Sequence, residues 1–181
     1  MGKAEEKKIL RRQVRGRKAA MSEESKASAA AAVAARLEAM PEFAAAGTIL
    51  AYSAMPDEIS TAGFIARACG HKRIALPVVK GEELELRLYD PAMLKPGYMG
   101  ILEPSDDAAV IPPEDIDLAV IPGMAFDSRG HRLGRGKGFY DRIIPLLHCP
   151  LIGICFSCQL VPNVPVEPFD RSLDIIISDN N

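Results

Sequence analysis

Five short apolar runs recur along the last three quarters of this chain: TILAYS (48–53), RIALPVV (73–79), DLAVIPG (117–123), LIGICF (151–156) and LDIIISD (173–179). Most are apolar at odd and even positions alike, so neither face of the strand each would form suits water. Segments of helical or turn character separate them. In DEISTAGFIARACG, Ile59, Phe64, Ile65 and Ala68 fall at near-helical spacing before Gly70, and KGFYDRIIPLLHC is amphipathic with a break expected at Pro145. Strand, helix, strand in repetition predicts an α/β fold: a three-layer α/β/α sandwich with a mainly parallel, Rossmann-like sheet. LELRLYD alternates instead, which suits an antiparallel or edge strand.

An N-terminal helical segment precedes the sheet. Residues 5–20 place acids before bases, the order a helix dipole favours. The next helix has Ser22 as its expected N-cap, Glu23 and Glu24 in its first turn, and an alanine-rich body that Pro41 is expected to stop. Helices over about 5–40 and an α/β core over about 47–179 make one domain of residues 1–181 the expected organisation.

At 181 residues and 48% hydrophobic, the chain can fill one core and is short for two. Its formal charge of −2 supplies no global field toward nucleic acid or membrane, so any anion site must be local. Cys69, Cys149, Cys155 and Cys158 are too sparse for a disulfide scaffold and read as buried reduced thiols. The C-x-x-C of Cys155 and Cys158 lacks a second ligand pair at zinc spacing. No run is long and apolar enough to span a bilayer, and the N-terminus lacks a secretory apolar core, so a soluble cytoplasmic protein is expected.

One loop concentrates the charge. FDSRGHRLGRGKGFYD (126–141) holds four glycines and four Lys or Arg side chains in sixteen positions, just past the carboxyl end of an expected strand, where open α/β sheets bind ligands. Gly134, Gly136 and Gly138 alternate with Arg135 and Lys137. Bare backbone N–H groups interleaved with cations before a helix N-terminus suit a polyphosphate. Neither the P-loop nor the Rossmann glycine spacing fits. A flexible surface loop is the plain alternative, which Asp141 argues against, because a carboxylate beside phosphates is a common way to hold magnesium.

The stretch PGMAFDSRGHRLGRGKGFYDR (122–142) resembles the signature of the 5-formyltetrahydrofolate cyclo-ligase family, also called 5,10-methenyltetrahydrofolate synthetase. KKILR (7–11), DEI (57–59) and VPVEPFDRSLD (164–174) extend the resemblance over nearly the whole chain in the same order. The resemblance implies ATP- and Mg2+-dependent closure of 5-formyltetrahydrofolate to 5,10-methenyltetrahydrofolate with release of ADP and phosphate. It implies phosphorylation of the formyl oxygen followed by attack from N10. The implied partner is this small molecule, with or without a polyglutamate tail, bound by a monomer with no nucleic acid or membrane.

The same resemblance assigns ATP contacts to Lys7, Arg11 and the loop Arg132, Leu133, Gly134, Arg135, Gly136, Lys137, Gly138, Phe139 and Tyr140. Arg135 and Lys137 are the implied catalytic cations at the transferring phosphoryl group. Folate contacts fall on Met55, Glu58, Arg135, Gly136, Lys137, Gly138 and Phe139, and magnesium ligands on Asp141 and Asp170. The family pattern commonly has a histidine before the second aspartate, where Phe169 stands here, and Asp174 is the weaker ligand candidate. Read without the family, Lys7 and Arg11 could be a solvated basic face, Asp57 and Glu58 helix caps, Asp170 a loop carboxylate, and Met55 and Phe139 core. His71, His131 and His148 form no triad pattern, with His131 the one candidate for a phosphate contact. Two other classes compete: a non-catalytic phosphate or RNA binder, and a sugar-phosphate isomerase or CoA-transferase-like enzyme on a related scaffold.

Overall fold

A computed structural model describes residues 2–168 and 170–180. The chain opens with α1 (Lys3–Ala19), α2 (Glu23–Glu38) and the short α3 (Pro41–Ala45). Ser22 caps α2 as expected, its hydroxyl accepting from Ser25 N at 3.1 Å. Pro41 does not stop that helix. α2 ends three residues earlier at Glu38, and Pro41 begins α3, where a missing N–H is harmless.

The rest is strands β1 (Thr48–Leu50), β2 (Arg73–Lys80), β3 (Glu83–Leu88), β4 (Leu94–Pro96), β5 (Leu102–Pro104), β6 (Leu118–Ile121), β7 (Ala125–Phe126), β8 (Arg132–Leu133), β9 (Leu151–Cys155) and β10 (Ile175–Ser178). Helices α4 (Ala62–Ala68) and α5 (Phe139–Ile143) lie among them. Six strands form one sheet in the order β10-β9-β6-β1-β2-β3, parallel throughout except for β3, the antiparallel edge anticipated from its alternation. β1 pairs with β2 only over Arg73–Ala75, so Pro77, which has no N–H to give, lies past the end of that ladder.

The period of two along each strand explains the two cores. Ile49, Ile74, Val120 and Ile152 face α2, α3 and α4 through Val33, Leu37, Phe43 and Phe64. Leu50, Ala75, Ala119 and Leu151 face the opposite way, onto Ile143, Ile144 and Leu147. Ile143 ends α5, Ile144 opens the 3-10 turn Ile144–Leu146 that replaces it at Pro145, and Leu147 caps that turn. Helical layers on both faces of a parallel sheet make this the expected three-layer α/β/α architecture.

α1 covers neither face. It lies over the β7–β8 hairpin, with Val14 packed among Met124, Ala125, Leu133 and Val164. This position sets its inner stripe, Lys3, Lys7, Arg11, Val14 and Lys18, against the loops that leave the parallel strands. Among the described residues no helix is long and apolar enough to cross a membrane. All four cysteines are free; Cys155 is buried as expected, but Cys69 is exposed, because it follows the last turn of α4 on its outer side.

Candidate active site

The glycine loop leaves β8 and enters α5 through two left-handed glycines, Gly136 (φ +99) and Gly138 (φ +73), the latter being the N-cap of α5. Any L side chain would strain this path. α1 holds the loop from the other side. Arg11 Nε donates to the Gly134 carbonyl at 2.8 Å, and Lys7 Nζ lies 3.3 Å from Asp170 Oδ2. Arg132 donates to the Pro122 carbonyl at 3.2 Å and pairs closely with Asp141.

These groups line a basic cavity of about 260 Å³, closed by Leu133, Ile144 and Pro145. Burial pulls the Arg132 and Arg11 guanidiniums down from their usual range, and the Asp141 carboxylate pulls both back. Guanidinium remains charged at neutral pH, so the cavity presents fixed positive charge.

A second cavity, of about 330 Å³, lies on the other side of the loop. Met55, Val79, Leu84, Ile101, Tyr98 and Phe139 make most of it apolar. Tyr98 comes from the β4–β5 hairpin and meets Phe139 edge-on, ring centroids 6.0 Å apart. Glu58 is the anchor: one oxygen accepts Met55 N at 2.9 Å and the other Arg135 Nε at 2.9 Å. Arg135 also pairs with Asp57. Burial pushes the Asp57 carboxyl upward, yet hydrogen bonds from Arg135 and Lys18 more than offset it and hold the group below the ordinary carboxylate range. Burial, reinforced by the Glu58 charge, raises the Tyr52 and Tyr140 phenols, so both remain neutral O–H groups at this cavity.

Arg132, Gly134, Gly138 and Asp141 line both cavities. The two spaces thus share a wall made of two glycines and the paired Arg132 and Asp141 side chains. An anion in the basic space and a flat polar ring in the apolar one could meet across it.

The predicted residues divide between these spaces. Lys7, Arg11, Arg132, Leu133, Gly136, Asp141 and Asp170 border the basic cavity; Met55, Glu58, Arg135, Lys137, Phe139 and Tyr140 border the apolar one. Leu133 packs its side chain in the core beside Val14. Arg135 and Lys137, expected at both the phosphates and the folate, border the apolar cavity. Neither Asp57 nor Glu58 caps a helix, since α4 starts at Ala62 behind Thr61. His131 borders neither cavity, its Nδ1 lying 3.0 Å from the buried Asp127. Asp174 accepts Leu151 N at 2.8 Å and so ties β9 to the segment before β10. The Phe169 departure lies outside the described residues.

Sequence reading missed Lys18, Asp57 as an ion-pair partner, Tyr52 and Tyr98. Lys18 had a signal: it continues the 3-7-11-14-18 stripe of α1. Tyr98 had none, because its place depends on how a short hairpin folds back over β2.

Among the described residues no three His, Cys, Asp or Glu side chains converge as a metal cluster. Asp141 and Asp170 border one cavity, each beside a cation, Arg132 and Lys7. Two carboxylates without further protein ligands fit magnesium, which usually keeps several waters and takes the rest of its shell from phosphate oxygens.

The family model of the 5-formyltetrahydrofolate cyclo-ligase family matches residues 3–179. The 5-formyltetrahydrofolate cyclo-ligase of Escherichia coli (strain K12) is 30% identical over 174 residues, covering 91% of this chain and 96% of that protein. The corresponding protein of Haemophilus influenzae is 34% identical over 142 residues, 73% of this chain and 76% of its own length. Among solved structures, the NMR structure of Aquifex aeolicus 5,10-methenyltetrahydrofolate synthetase superposes with a TM-score of 0.89 at 31% identity, covering 97% of this chain and 90% of that one.

Proposed function

The chain belongs to the 5-formyltetrahydrofolate cyclo-ligase family, and on that premise we propose a cytoplasmic enzyme that closes 5-formyltetrahydrofolate to 5,10-methenyltetrahydrofolate using ATP and magnesium. The observation that carries this reading is the wall of Arg132, Gly134, Gly138 and Asp141 shared by a basic and an apolar cavity. The reaction needs a triphosphate and a pterin brought together while their binding chemistries stay apart.

The formamide oxygen is a poor leaving group. Transfer of the γ-phosphoryl group onto it makes the formyl carbon electrophilic; N10 then attacks, loses its proton, and the oxygen departs in phosphate. Such a transfer asks a protein mainly for position and charge. Lys7, Arg11 and Arg132 would take the phosphates, with Gly134, Gly136 and Gly138 letting the nucleotide approach the backbone. Asp141 and Asp170 would hold magnesium, which supplies further neutralisation of the phosphate charge.

On the apolar side, Glu58 would accept hydrogen bonds from the donor edge of the pterin, between Met55 and the Phe139 and Tyr98 rings. Arg135 and Lys137 extend from the wall into this space, where they could meet the developing negative charge on the formyl oxygen and transferring phosphoryl group. With the Tyr52 and Tyr140 hydroxyls neutral, the negative groups lining this space are the carboxylates of Glu58, Glu103 and Asp141.

Purified protein mixed with 5-formyltetrahydrofolate and magnesium, with and without ATP, tests the proposal by methenyltetrahydrofolate absorbance. Product only with ATP is the expected result. ATP binding with no product under either condition would overturn the folate chemistry and leave a phosphate-binding protein.

A further inference from the structure

Lys18 occupies the last turn of α1 with its side chain 1% exposed. A lysine so placed needs a partner, since an unpaired buried ammonium is costly. Its Nζ lies 2.7 Å from Asp57 Oδ2 and 3.7 Å from the Met124 sulfur. The other oxygen of Asp57 takes Arg135 Nη2, and Arg135 Nε lies 2.9 Å from Glu58 Oε1. Lys18, Asp57, Arg135 and Glu58 therefore alternate in sign along one row, from beneath the N-terminal helix to the apolar cavity.

The proposed reaction uses only the far end of this row. Glu58 is to face the pterin and Arg135 the oxygens that gain charge, yet these two hold each other in the structure. Arg135 must loosen from its carboxylates to act. With Lys18 in place, two cations balance two carboxylates and Asp57 divides its charge between Lys18 and Arg135. Without Lys18, all of that charge would fall on Arg135, clamped by two carboxylates in partly desolvated surroundings where such pairs are hard to part.

We propose that Lys18 is a positioning residue that competes with Arg135 for Asp57 and thereby keeps Arg135 exchangeable between these carboxylates and the substrate. This inference rests on the proposed reaction. Its distinguishing feature is that neutralising Asp57 should undo the loss of Lys18, since removing both partners of a buried pair leaves no orphaned charge.

The test compares wild type, Lys18→Met, Asp57→Asn and the double variant by steady-state kinetics and by NMR exchange of the Arg135 Nη–H groups that face Asp57. Lys18→Met should lower kcat by about tenfold or more, with KM for 5-formyltetrahydrofolate changed by less than about threefold. The double variant should recover kcat to within about threefold of wild type. Exchange of the Arg135 Nη–H groups should slow by roughly fivefold in Lys18→Met and return in the double variant. A lysine that serves only stability would lower the melting temperature and leave kcat of the folded protein and the Arg135 exchange unchanged, which overturns the inference. If wild type makes no product, the proposed reaction fails, and the exchange comparison still reads Lys18 against Arg135, with no difference overturning the coupling. If Lys18→Met does not fold, Asp57→Asn must free Arg135 to exchange faster than in wild type; an equal rate rejects the proposal.

Discussion

Arg11 grips the glycine loop by its backbone: its Nε donates to the Gly134 carbonyl at 2.8 Å across 123 residues of sequence. α1 thus holds the cradle in place as well as lining it. Arg11→Gln should lower kcat/KM for ATP by roughly ten- to a hundredfold, the consequence of losing a charge-assisted hydrogen bond of about 1.5–3 kcal/mol. Binding of 5-formyltetrahydrofolate alone, measured by calorimetry, should change little, because Arg11 does not border the apolar cavity. Equal weakening of both ligands would mean that Arg11 supports the whole fold instead.

Glu58→Gln separates the two sides in the opposite sense. The substitution keeps size and the contact with Met55 N but removes the charge proposed to face the pterin. Affinity for 5-formyltetrahydrofolate should fall by about tenfold or more, in line with a charged hydrogen-bond partner, while ATP affinity in the absence of folate stays within a few-fold. Paired titrations of the two ligands read this directly.

Much of the site was legible because its signals are local. The spacing of glycines and cations over 134–138, the four-residue step from Lys7 to Arg11, and the apolar runs on both sides of the loop all survive folding unchanged. What sequence reading missed depends on distant partners. Arg135 was assigned to phosphate and folate alike, and its hold on Asp57 and Glu58, 78 and 77 residues away, is what sets it beside the apolar cavity. Pro41 was expected to end a helix, yet proline starts one as readily, and the choice was made when α2 turned at Ala39. The depth of Lys18 follows from packing of the whole N-terminal helix on the β7–β8 hairpin, which no window of sequence contains.

Asp127 should govern acid stability of the hairpin beneath the loop. Burial pushes its carboxyl up, but backbone N–H groups of Val164 and Arg129, together with His131, hold it at about 2, below the ordinary 3.8. A depressed folded pKa means that its stabilisation is present above pH 3.8 and is lost as pH falls toward 2. The shift corresponds to roughly 2 kcal/mol at neutral pH. Urea unfolding of Asp127→Asn should show a loss of that order at pH 7 relative to wild type, shrinking as the pH is lowered through this window. A constant difference at all pH values would assign the effect to packing.

The cysteines should separate by reactivity. Burial pushes the Cys155 thiol to about 12 and the Cys149 thiol to about 11, whereas Cys69 is exposed. At pH 8, Cys155 would be about one part in ten thousand thiolate and shielded from reagent as well. Brief treatment with iodoacetamide followed by peptide mass spectrometry should find Cys69 alkylated first and Cys155 only after denaturation. Early labelling of Cys155 would show that β9 opens readily.

Asp141 stands at the junction of both cavities and faces the Arg132 guanidinium, so its removal has two opposed effects. Asp141→Asn should free Arg132 for phosphate and preserve binding of metal-free ATP, or tighten it by a few-fold. It should also weaken the advantage that magnesium gives, because one of the two carboxylates proposed to hold the metal is gone. Calorimetric titrations of ATP with and without magnesium should therefore show a wild-type preference for the magnesium complex that narrows by about tenfold or more in the variant, the magnitude of an altered metal shell. Turnover should fall with it and recover partly at high magnesium. An unchanged preference would place the metal away from Asp141 and leave its role as the counter-charge that holds Arg132 at the wall.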